Sequence, residues 1–148
     1  MSPQFKIKRF NELSVAELYQ VLQLRSEVFV VEQDCVYQDI DGKDVKAVHV
    51  FAQVDDEMAV YCRLFGPGDY FEDASIGRVV ISAKYRDRKW GHELIKAAIN
   101  AIEEIWHTSH ITISAQLYLK KFYESHGFVQ DGAEYLEDGI PHIKMHRK

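Results

Sequence analysis

Hydrophobic side chains in the first part of the chain follow the period of a strand and then that of a helix. Residues 5–10 alternate charged and apolar side chains, which predicts an edge or half-buried strand. Apolar residues then recur at helical spacing over residues 15–31, which predicts an amphipathic helix. Ser14 and Glu17 have the spacing of a capping box, so we expect that helix to begin directly after Ser14.

The middle of the chain predicts a hairpin, followed by a strand, a helix and another strand. Strand-like runs at residues 49–54 and 58–65 flank a short acidic turn, which indicates an antiparallel hairpin. A buried strand is predicted over residues 75–82, a helix over 91–106 and a strand over 111–115. This order is typical of a parallel βαβ unit with a right-handed crossover.

The C-terminal part predicts a short helix and two strands. The helix is expected over residues 117–125, with Gly127 in the left-handed position that ends it. Strands over residues 130–137 and 140–146 complete a mixed sheet of about six or seven strands. The pattern predicts an α/β fold with helices on both faces of the sheet. No repeat or linker divides the chain, so we expect a single domain over residues 1–148.

Composition excludes several classes of function. The chain carries a net charge of −5, whereas a broad nucleic-acid surface requires clustered Lys and Arg, so no nucleic-acid partner is expected. No apolar run is long enough to span a membrane, and the N-terminus lacks the pattern of a secretory signal. We therefore expect a soluble, cytoplasmic protein without a membrane partner, in which Cys35 and Cys62 are reduced. The histidines and cysteines lack the ligand spacing of a metal site, so no metal is expected.

The basic residues of this acidic chain concentrate between the strand and the helix of the predicted βαβ unit. Arg86, Arg88 and Lys89 precede Gly91 at the start of that helix. Unpaired amides and the helix dipole make a helix N-terminus favourable for an anion, and glycine permits close approach of a phosphate. The residues alone leave two interpretations open, a phosphate-binding loop and a solvated surface turn.

This segment resembles the central cofactor motif of the GNAT acyltransferases. In residues 75–95, SIGRVVISAKYRDRKWGHELI, a strand is followed by a loop similar to (R/Q)xxGxG/A and then by a helix. Arg86 occupies the R/Q position and Gly91 that of the last glycine, while Lys89 replaces the first glycine. A lysine at that position adds a cation for the phosphates and loses the conformational freedom of glycine.

A second segment agrees with the first. Residues 113–128, ISAQLYLKKFYESHGF, resemble the GNAT segment that ends in YxxxGF. Tyr123, Gly127 and Phe128 match that pattern, and Gln116 stands where the family usually has Asn. Gln has the same side-chain amide as Asn, on a side chain that is longer by one methylene group.

The resemblance implies where the co-substrate acetyl-CoA binds. Its pantetheine arm is expected to pair with the backbone of Val79, Val80 and Ile81, and Gln116 to hydrogen-bond the cofactor or the backbone. Its pyrophosphate is expected on a loop made of Arg86, Asp87, Arg88, Lys89, Trp90, Gly91 and His92.

Outside the cofactor motifs the chain resembles the ElaA-like branch of the GNAT superfamily. The resemblance is carried by residues 24–44, His49, residues 76–79 and residues 135–145. It implies a GNAT-like fold, with a mixed, largely antiparallel central sheet, a parallel βαβ core and helices on both faces. The activity it implies is an acetyl-CoA-dependent N-acetyltransferase that acts on a primary amine.

Acyl transfer to an amine requires a proton for the departing thiolate, a polarised carbonyl and a neutral amine. By the family match Tyr123 is the expected general acid, because a phenol can protonate a thiolate. A backbone amide on the central strand, at Val80 or Ile81, is expected to polarise the carbonyl. Glu32 and His142 are the first candidates for the base that deprotonates the amine.

The identity of the acceptor and of the base is left open by the sequence. Asp39, Asp41 and His49 are further candidates for the base. The acidic density of residues 32–41 suggests a cationic acceptor, such as a polyamine, an amino sugar or a lysine side chain. Two departures from the cofactor motifs leave a second function open, a non-catalytic acyl-CoA-binding regulatory domain. Both a monomer and a homodimer are compatible with the sequence.

Overall fold

Eight strands and three α-helices make up the part of the chain that the computed structural model describes, residues 3–148. The strands are β1 (Lys6–Arg9), β2 (Val48–Val54), β3 (Glu57–Phe65), β4 (Ser75–Ile81), β5 (Ile111–Gln116), β6 (Val129–Gln130), β7 (Tyr135–Glu137) and β8 (Ile140–Arg147). The helices are α1 (Val15–Arg25), α2 (Trp90–Trp106) and α3 (Lys120–Glu124), and α1 continues as a π-helix over Ser26–Glu32. The predicted elements are confirmed except after α3, where two separate strands, β6 and β7, replace one predicted strand.

The strands form two groups that meet at a single bridge. The first group has the order β1-β2-β3-β4 and is antiparallel throughout. The second has the order β5-β8-β6, with β7 also paired to β8. A parallel bridge joins Ala74 to Ile111, where the amide of Thr112 donates to the carbonyl of Ala74 over 2.9 Å. The mixed, largely antiparallel sheet with a parallel βαβ core is thus confirmed, and β4 and β5 separate beyond the bridge.

Helix α1 covers one face of the first group of strands. Ser14 accepts a hydrogen bond from the amide of Glu17, and the Glu17 carboxylate accepts one from the amide of Ser14, which completes the predicted capping box. The apolar side of α1 and of its π-helical continuation packs against Phe51, Tyr61 and Val80 of three adjacent strands.

Helix α2 covers the opposite face. Its side chains Leu94, Ile95 and Ile102 are fully buried in the main core. Because successive residues of a strand face opposite sides, Tyr61 of β3 packs under α1 while its neighbour Cys62 packs under α2. Helices on both faces of the sheet are therefore confirmed. Across residues 3–148, every helix is too short or too polar to cross a membrane.

Candidate active site

The strand β4 is irregular at its centre. Between the pairs that it forms with β3 at Gly77 and at Val80, two of its residues, Arg78 and Val79, stand opposite the single residue Cys62. Arg78 has a φ of 51°, so β4 contains a β-bulge with left-handed backbone. Since β4 also separates from β5 here, the strand after the bulge borders an open gap.

A turn with left-handed backbone joins β4 to α2. A 3₁₀ turn covers Ala83–Arg88, and Lys89 follows with φ 58° and ψ 26° before α2 begins at Trp90. Glycine adopts this conformation readily, whereas other L-residues in it cost roughly 1–2 kcal/mol. Lys89 therefore keeps the turn that the glycine of the family motif would give. Asp87 and Lys89 are exposed, and the amides at a helix N-terminus suit this end of α2 to an anion.

Gly91, in the first turn of α2, borders open space. A Cβ atom at this position would lie 3.5 Å from the ring of Phe122 and 3.8 Å from Cδ1 of Ile81. These are ordinary van der Waals distances, so the protein itself has room for a methyl group here. Gly91 also lines a cavity, and such a methyl group would occupy space that is open to a ligand.

Arg86 and Glu32, expected as a phosphate ligand and a base, bind each other. Nη1 and Nη2 of Arg86 donate to Oε2 and Oε1 of Glu32 over 2.5 and 2.9 Å, and Nε donates to the carbonyl of Ile81 over 3.1 Å. The hydrogen bonds from Arg86 lower the pKa of Glu32. The pair holds Arg86 beside the end of β4 and keeps Glu32 ionised.

The remaining side chains of the expected phosphate loop have other neighbours. The guanidinium of Arg88 lies 5.0 Å from the ring centre of Tyr85 and 5.2 Å from that of Trp90. Trp90 is 7% exposed and belongs to the main core, so it is the backbone of this residue that borders the loop surface. His92 Nδ1 lies 2.8 Å from His126 Nε2.

Two cavities occupy the gap between β4 and β5. The larger, called the apolar cavity below, has a volume of about 410 Å³. The end of β4 at residues 79–81 lines it, together with Gly91, Phe122 and the pair of Arg86 and Glu32. This volume lies in the range of about 300–1,000 Å³ that small-molecule and cofactor sites have.

The smaller cavity, called the polar cavity below, has a volume of about 110 Å³. Its polar lining includes Ser114, Glu137 and His142. The two cavities share the residues Phe29, Gln33, Val79, Gln116, Leu119 and Tyr123. The two cavities are therefore adjacent, and Tyr123 borders both of them.

Tyr123 is the ionisable residue of the shared wall. It is 5% exposed, and its ring packs edge-on against Phe122 and Phe128 at centroid distances of 5.1 and 5.8 Å. Burial raises the pKa of its phenol well above the ordinary value. The hydroxyl holds its proton at neutral pH, as a general acid must, and the raised pKa makes it a weaker acid than an exposed phenol.

His142 has a defined tautomer. Its Nδ1 lies 2.7 Å from the carbonyl oxygen of Ile140, and because a carbonyl only accepts hydrogen bonds, Nδ1 carries a proton. Nε2 is then the nitrogen that can exchange a proton, and it lies 3.4 Å from Oε2 of Glu137. The ring stacks on that of Tyr135 at 6.2 Å, which holds its orientation.

Glu137 is a site residue that the motifs did not indicate. Its Oε1 accepts a hydrogen bond from Ser114 Oγ over 3.0 Å, and Ser114 Oγ lies 2.5 Å from the hydroxyl of Tyr135. The register of β7 and β8 places Tyr135 opposite His142, and Glu137 follows on the same face of β7. The two-residue gap between the predicted strands 130–137 and 140–146 was the available signal, since it implies that the ends of these strands pair.

A buried network of ion pairs occupies the loop that was expected to attract a cationic acceptor. Arg25 is 0% exposed and donates to Asp39 over 2.9 Å and to Asp44 over 2.7 Å. Arg63 donates to Asp41 over 2.6 Å and to Asp44 over 2.9 Å. Burial raises the pKa of Asp41 and Asp44, but the arginine hydrogen bonds outweigh it and lower both. Asp39 and Asp41 are thus paired with arginines and are not free to bind a cationic acceptor, whose charge stays a prediction.

His49 belongs to the same buried region and is not available as a base. It is 0% exposed, with Nδ1 2.7 Å from the hydroxyl of Tyr61 and Nε2 2.9 Å from the carbonyl of Asp44. Burial lowers the pKa of its ring, so it is a neutral core histidine. Throughout the described part of the chain, the His, Cys, Asp and Glu side chains form no group of three or more that could hold a metal ion.

Comparison with known proteins places this geometry in a family. A sequence model described as an acetyltransferase (GNAT) domain matches residues 11–148. The chain belongs to the GNAT acetyltransferase family. Within the GNAT family it belongs to the ElaA-like branch, because it is 42% identical over 140 residues to protein ElaA of Escherichia coli K12. That alignment covers 93% of this chain and 92% of ElaA.

Solved structures of GNAT proteins have the same fold as this chain. The crystal structure of Escherichia coli ElaA matches with a TM-score of 0.92 at 39% identity, covering 99% of both chains. That of an acyl-CoA N-acyltransferase from Pseudomonas aeruginosa matches with a TM-score of 0.92 at 41% identity, covering 98% of this chain and 99% of that one. These matches confirm the GNAT fold, and membership of the family supports acyl transfer with an acyl-CoA as co-substrate.

Proposed function

We propose that this GNAT acetyltransferase moves an acetyl group from acetyl-CoA to a primary amine by direct attack. The observation that carries the proposal is the wall shared by the apolar and polar cavities, in which Tyr123 stands. A thioester in the apolar cavity and an amine in the polar cavity would come into contact at this wall. Direct attack requires such contact, because no acyl-enzyme carries the acetyl group between two separate sites.

The apolar cavity is the proposed site of acetyl-CoA. The backbone of residues 79–81 borders the gap beside β5 and would pair with the pantetheine arm, with Gln116 as a hydrogen-bond partner. The amides of residues 86–92 would bind the pyrophosphate at the N-terminus of α2. Arg86 lies at the rim of the same cavity and would exchange its bonds with Glu32 for bonds to a phosphate oxygen.

We assign removal of the amine proton to His142 and not to Glu32. His142 lines the polar cavity, and the bond from its Nδ1 to a backbone carbonyl leaves Nε2 to take a proton. Glu32 lines the apolar cavity, and the lowered pKa that Arg86 gives it makes it the weaker base. The proposed role of Glu32 is to hold Arg86 at the rim of the cofactor site before the cofactor binds.

The proposed steps conserve every proton. Nε2 of His142 takes a proton from the ammonium form of the acceptor, and the neutral nitrogen attacks the carbonyl carbon of the thioester. A backbone amide at Val80 or Ile81 donates to the oxygen as it becomes negative, an interaction of about 2.7–4 kcal/mol in a studied enzyme. The carbon–sulfur bond breaks, the hydroxyl of Tyr123 protonates the thiolate, and the remaining excess proton of the attacking nitrogen passes to the tyrosine oxygen.

The rival function is an acyl-CoA-binding domain without catalysis. The sequence left this function open because Lys89 and Gln116 differ from the residues that the cofactor motifs usually have at these positions. The left-handed backbone of Lys89 supports acyl-CoA binding, which both functions require, because glycine readily adopts this conformation. The catalytic proposal is favoured by Tyr123 and His142, two side chains capable of proton transfer that line the same cavity.

The proposed function is tested by two measurements on the purified protein. Acetyl-CoA should raise the melting temperature, because a ligand at 100 times its Kd stabilises the native state by about 2.7 kcal/mol. Release of CoA thiol should then depend on an amine, chosen from polyamines, amino sugars, amino acids and peptides. A thermal shift without thiol release for any amine would favour the binding domain, and no thermal shift at millimolar acetyl-CoA would reject both functions.

A further inference from the structure

The size of the polar cavity restricts what reaches Tyr123. Its volume is about 110 Å³, against about 410 Å³ for the apolar cavity. A cavity of about 150 Å³ holds one benzene molecule in a studied protein. A six-membered ring would fill most of this volume, whereas an unbranched alkyl chain is narrow enough to enter the polar cavity end-on. The body of a larger acceptor would remain outside.

A carboxylate that is 44% exposed supplies negative charge to the polar cavity. Glu137 lines this cavity, and its two nearest polar partners, Ser114 and His142, are a neutral hydroxyl and an imidazole. The basic side chain that lines this cavity is Arg78. It pairs with Asp39, with 2.8 Å between Nε of Arg78 and Oδ1 of Asp39. The negative charge of Glu137 is therefore left for a ligand.

One ammonium group can contact both Glu137 and the proposed base. Oε2 of Glu137 lies 3.4 Å from Nε2 of His142, so a nitrogen beside them reaches both atoms at hydrogen-bond distance. The carboxylate would hold the ammonium while Nε2 takes one proton from it. After this transfer the imidazolium of His142 remains next to the carboxylate, which stabilises it.

We propose that the acceptor is a slender primary aminoalkyl arm, bound amine-first in the polar cavity with its ammonium on Glu137. This inference rests on the proposed function and narrows its substrate class. It includes aliphatic polyamines and lysine-like side chains, and it makes amines carried directly on a ring, such as those of amino sugars, the poorer acceptors. Glu137 is a specificity-determining residue in this account, and Ile140, which also lines the cavity, restricts its width.

The test compares n-hexylamine with cyclohexylamine, which have the same number of carbons and similar basicity. Thiol release from acetyl-CoA should give a kcat/KM for n-hexylamine that is larger by about 10-fold or more, since small changes in the shape of a substrate have effects of this order in enzyme pockets. In Ile140→Ala this ratio should fall by about 10-fold, because the side chain is shortened while the carbonyl that binds His142 remains.

Two matched variants test the carboxylate. Glu137→Gln should lower kcat/KM for n-hexylamine by about 10- to 100-fold, the effect of losing a hydrogen bond to a charged group. Glu134→Gln removes the same charge from the exposed loop before β7 and should leave kcat/KM unchanged. Added salt should raise KM in the wild type and not in Glu137→Gln, a readout that a purely structural role would not change.

The outcomes separate this inference from the proposed function. If acetyl-CoA raises the melting temperature but cyclohexylamine reacts as well as n-hexylamine, or neither reacts, the slender-arm proposal is overturned and the acyl-CoA site stands. If Glu137→Gln and Glu134→Gln behave alike, Glu137 does not hold the amine. If acetyl-CoA produces no thermal shift, the proposed function fails and the inference fails with it.

Discussion

Replacing Gly91 by alanine should stabilise the free protein and weaken its binding of acetyl-CoA. Gly91 lies in the first turn of α2, where alanine is favoured over glycine by roughly 0.5–1 kcal/mol because glycine loses more conformational freedom on folding. The added Cβ would lie 3.5 Å from the Phe122 ring and 3.8 Å from Ile81, which are unstrained contacts. We therefore expect a melting temperature that is higher than that of the wild type by a few degrees.

The same methyl group should obstruct the ligand. Gly91 lines the apolar cavity, and the proposed pyrophosphate site requires close approach to the backbone of this turn. Extra atoms in a closely packed site commonly cost about 1–3 kcal/mol. If the free energy of acetyl-CoA binding is weakened by this amount, its Kd rises by about 5- to 150-fold. The two effects have opposite signs, so a general loss of folding cannot produce them.

Thermal unfolding of the free protein and calorimetric titration with acetyl-CoA measure both effects. Asn100→Ala is the matched control, because Asn100 is exposed on the same helix and the change raises helix propensity without adding atoms near the cavity. The control should be stabilised and should bind acetyl-CoA as the wild type does. Equal Kd values for Gly91→Ala and Asn100→Ala would refute the placement of the pyrophosphate.

Two further predictions concern stability. Lys89→Gly should be more stable than Lys89→Ala by about 1 kcal/mol in urea unfolding, because only glycine relieves the left-handed backbone. Equal stability would mean that this turn is not left-handed in solution. Burial raises the pKa of Glu17, but hydrogen bonds from Ser14 and Lys8 outweigh it and lower the pKa from 4.5 to about 2. Its contribution to stability is therefore complete above pH 4.5 and is lost towards pH 2, so Glu17→Gln should lose less stability than the wild type across this window. Parallel pH profiles for the two proteins would contradict that assignment.

Local patterns explain why most of the fold was predictable. The helical period after Ser14 and the capping box fixed the start of α1, and both are properties of neighbouring residues. The predicted strand over residues 130–137 failed because Gly132 has a φ of 96° and interrupts the extended backbone between β6 and β7. The separation of β4 from β5 has no local signature, since it depends on hydrogen bonds between distant segments.

The residues of the candidate site were likewise predictable only where a local motif contains them. Loop residues such as Arg86 and Gly91 were found by a contiguous motif, and the structure places both on the apolar cavity. The pairing of Arg25 with Asp44, 19 residues away in sequence, could not be read from a run of acidic residues. The run of acidic residues at 32–41 therefore suggested a surface site for a cation, whereas in the fold its Asp39 and Asp41 belong to a buried network of ion pairs. The position of Glu137 at the site became clear only from the register of β7 on β8.

The central claim is that Tyr123 protonates the departing thiolate at the wall between the two cavities. The most direct test is the single-turnover rate of thiol release by Tyr123→Phe and by the wild type, at saturating acetyl-CoA and with the amine that reacts fastest. The account predicts a fall of about 10²- to 10⁴-fold, the usual effect of losing a general acid, with an unchanged Kd for acetyl-CoA because the ring remains. A rate within about threefold of the wild type would contradict the claim, since so small a change is within the effect of repacking one buried hydroxyl.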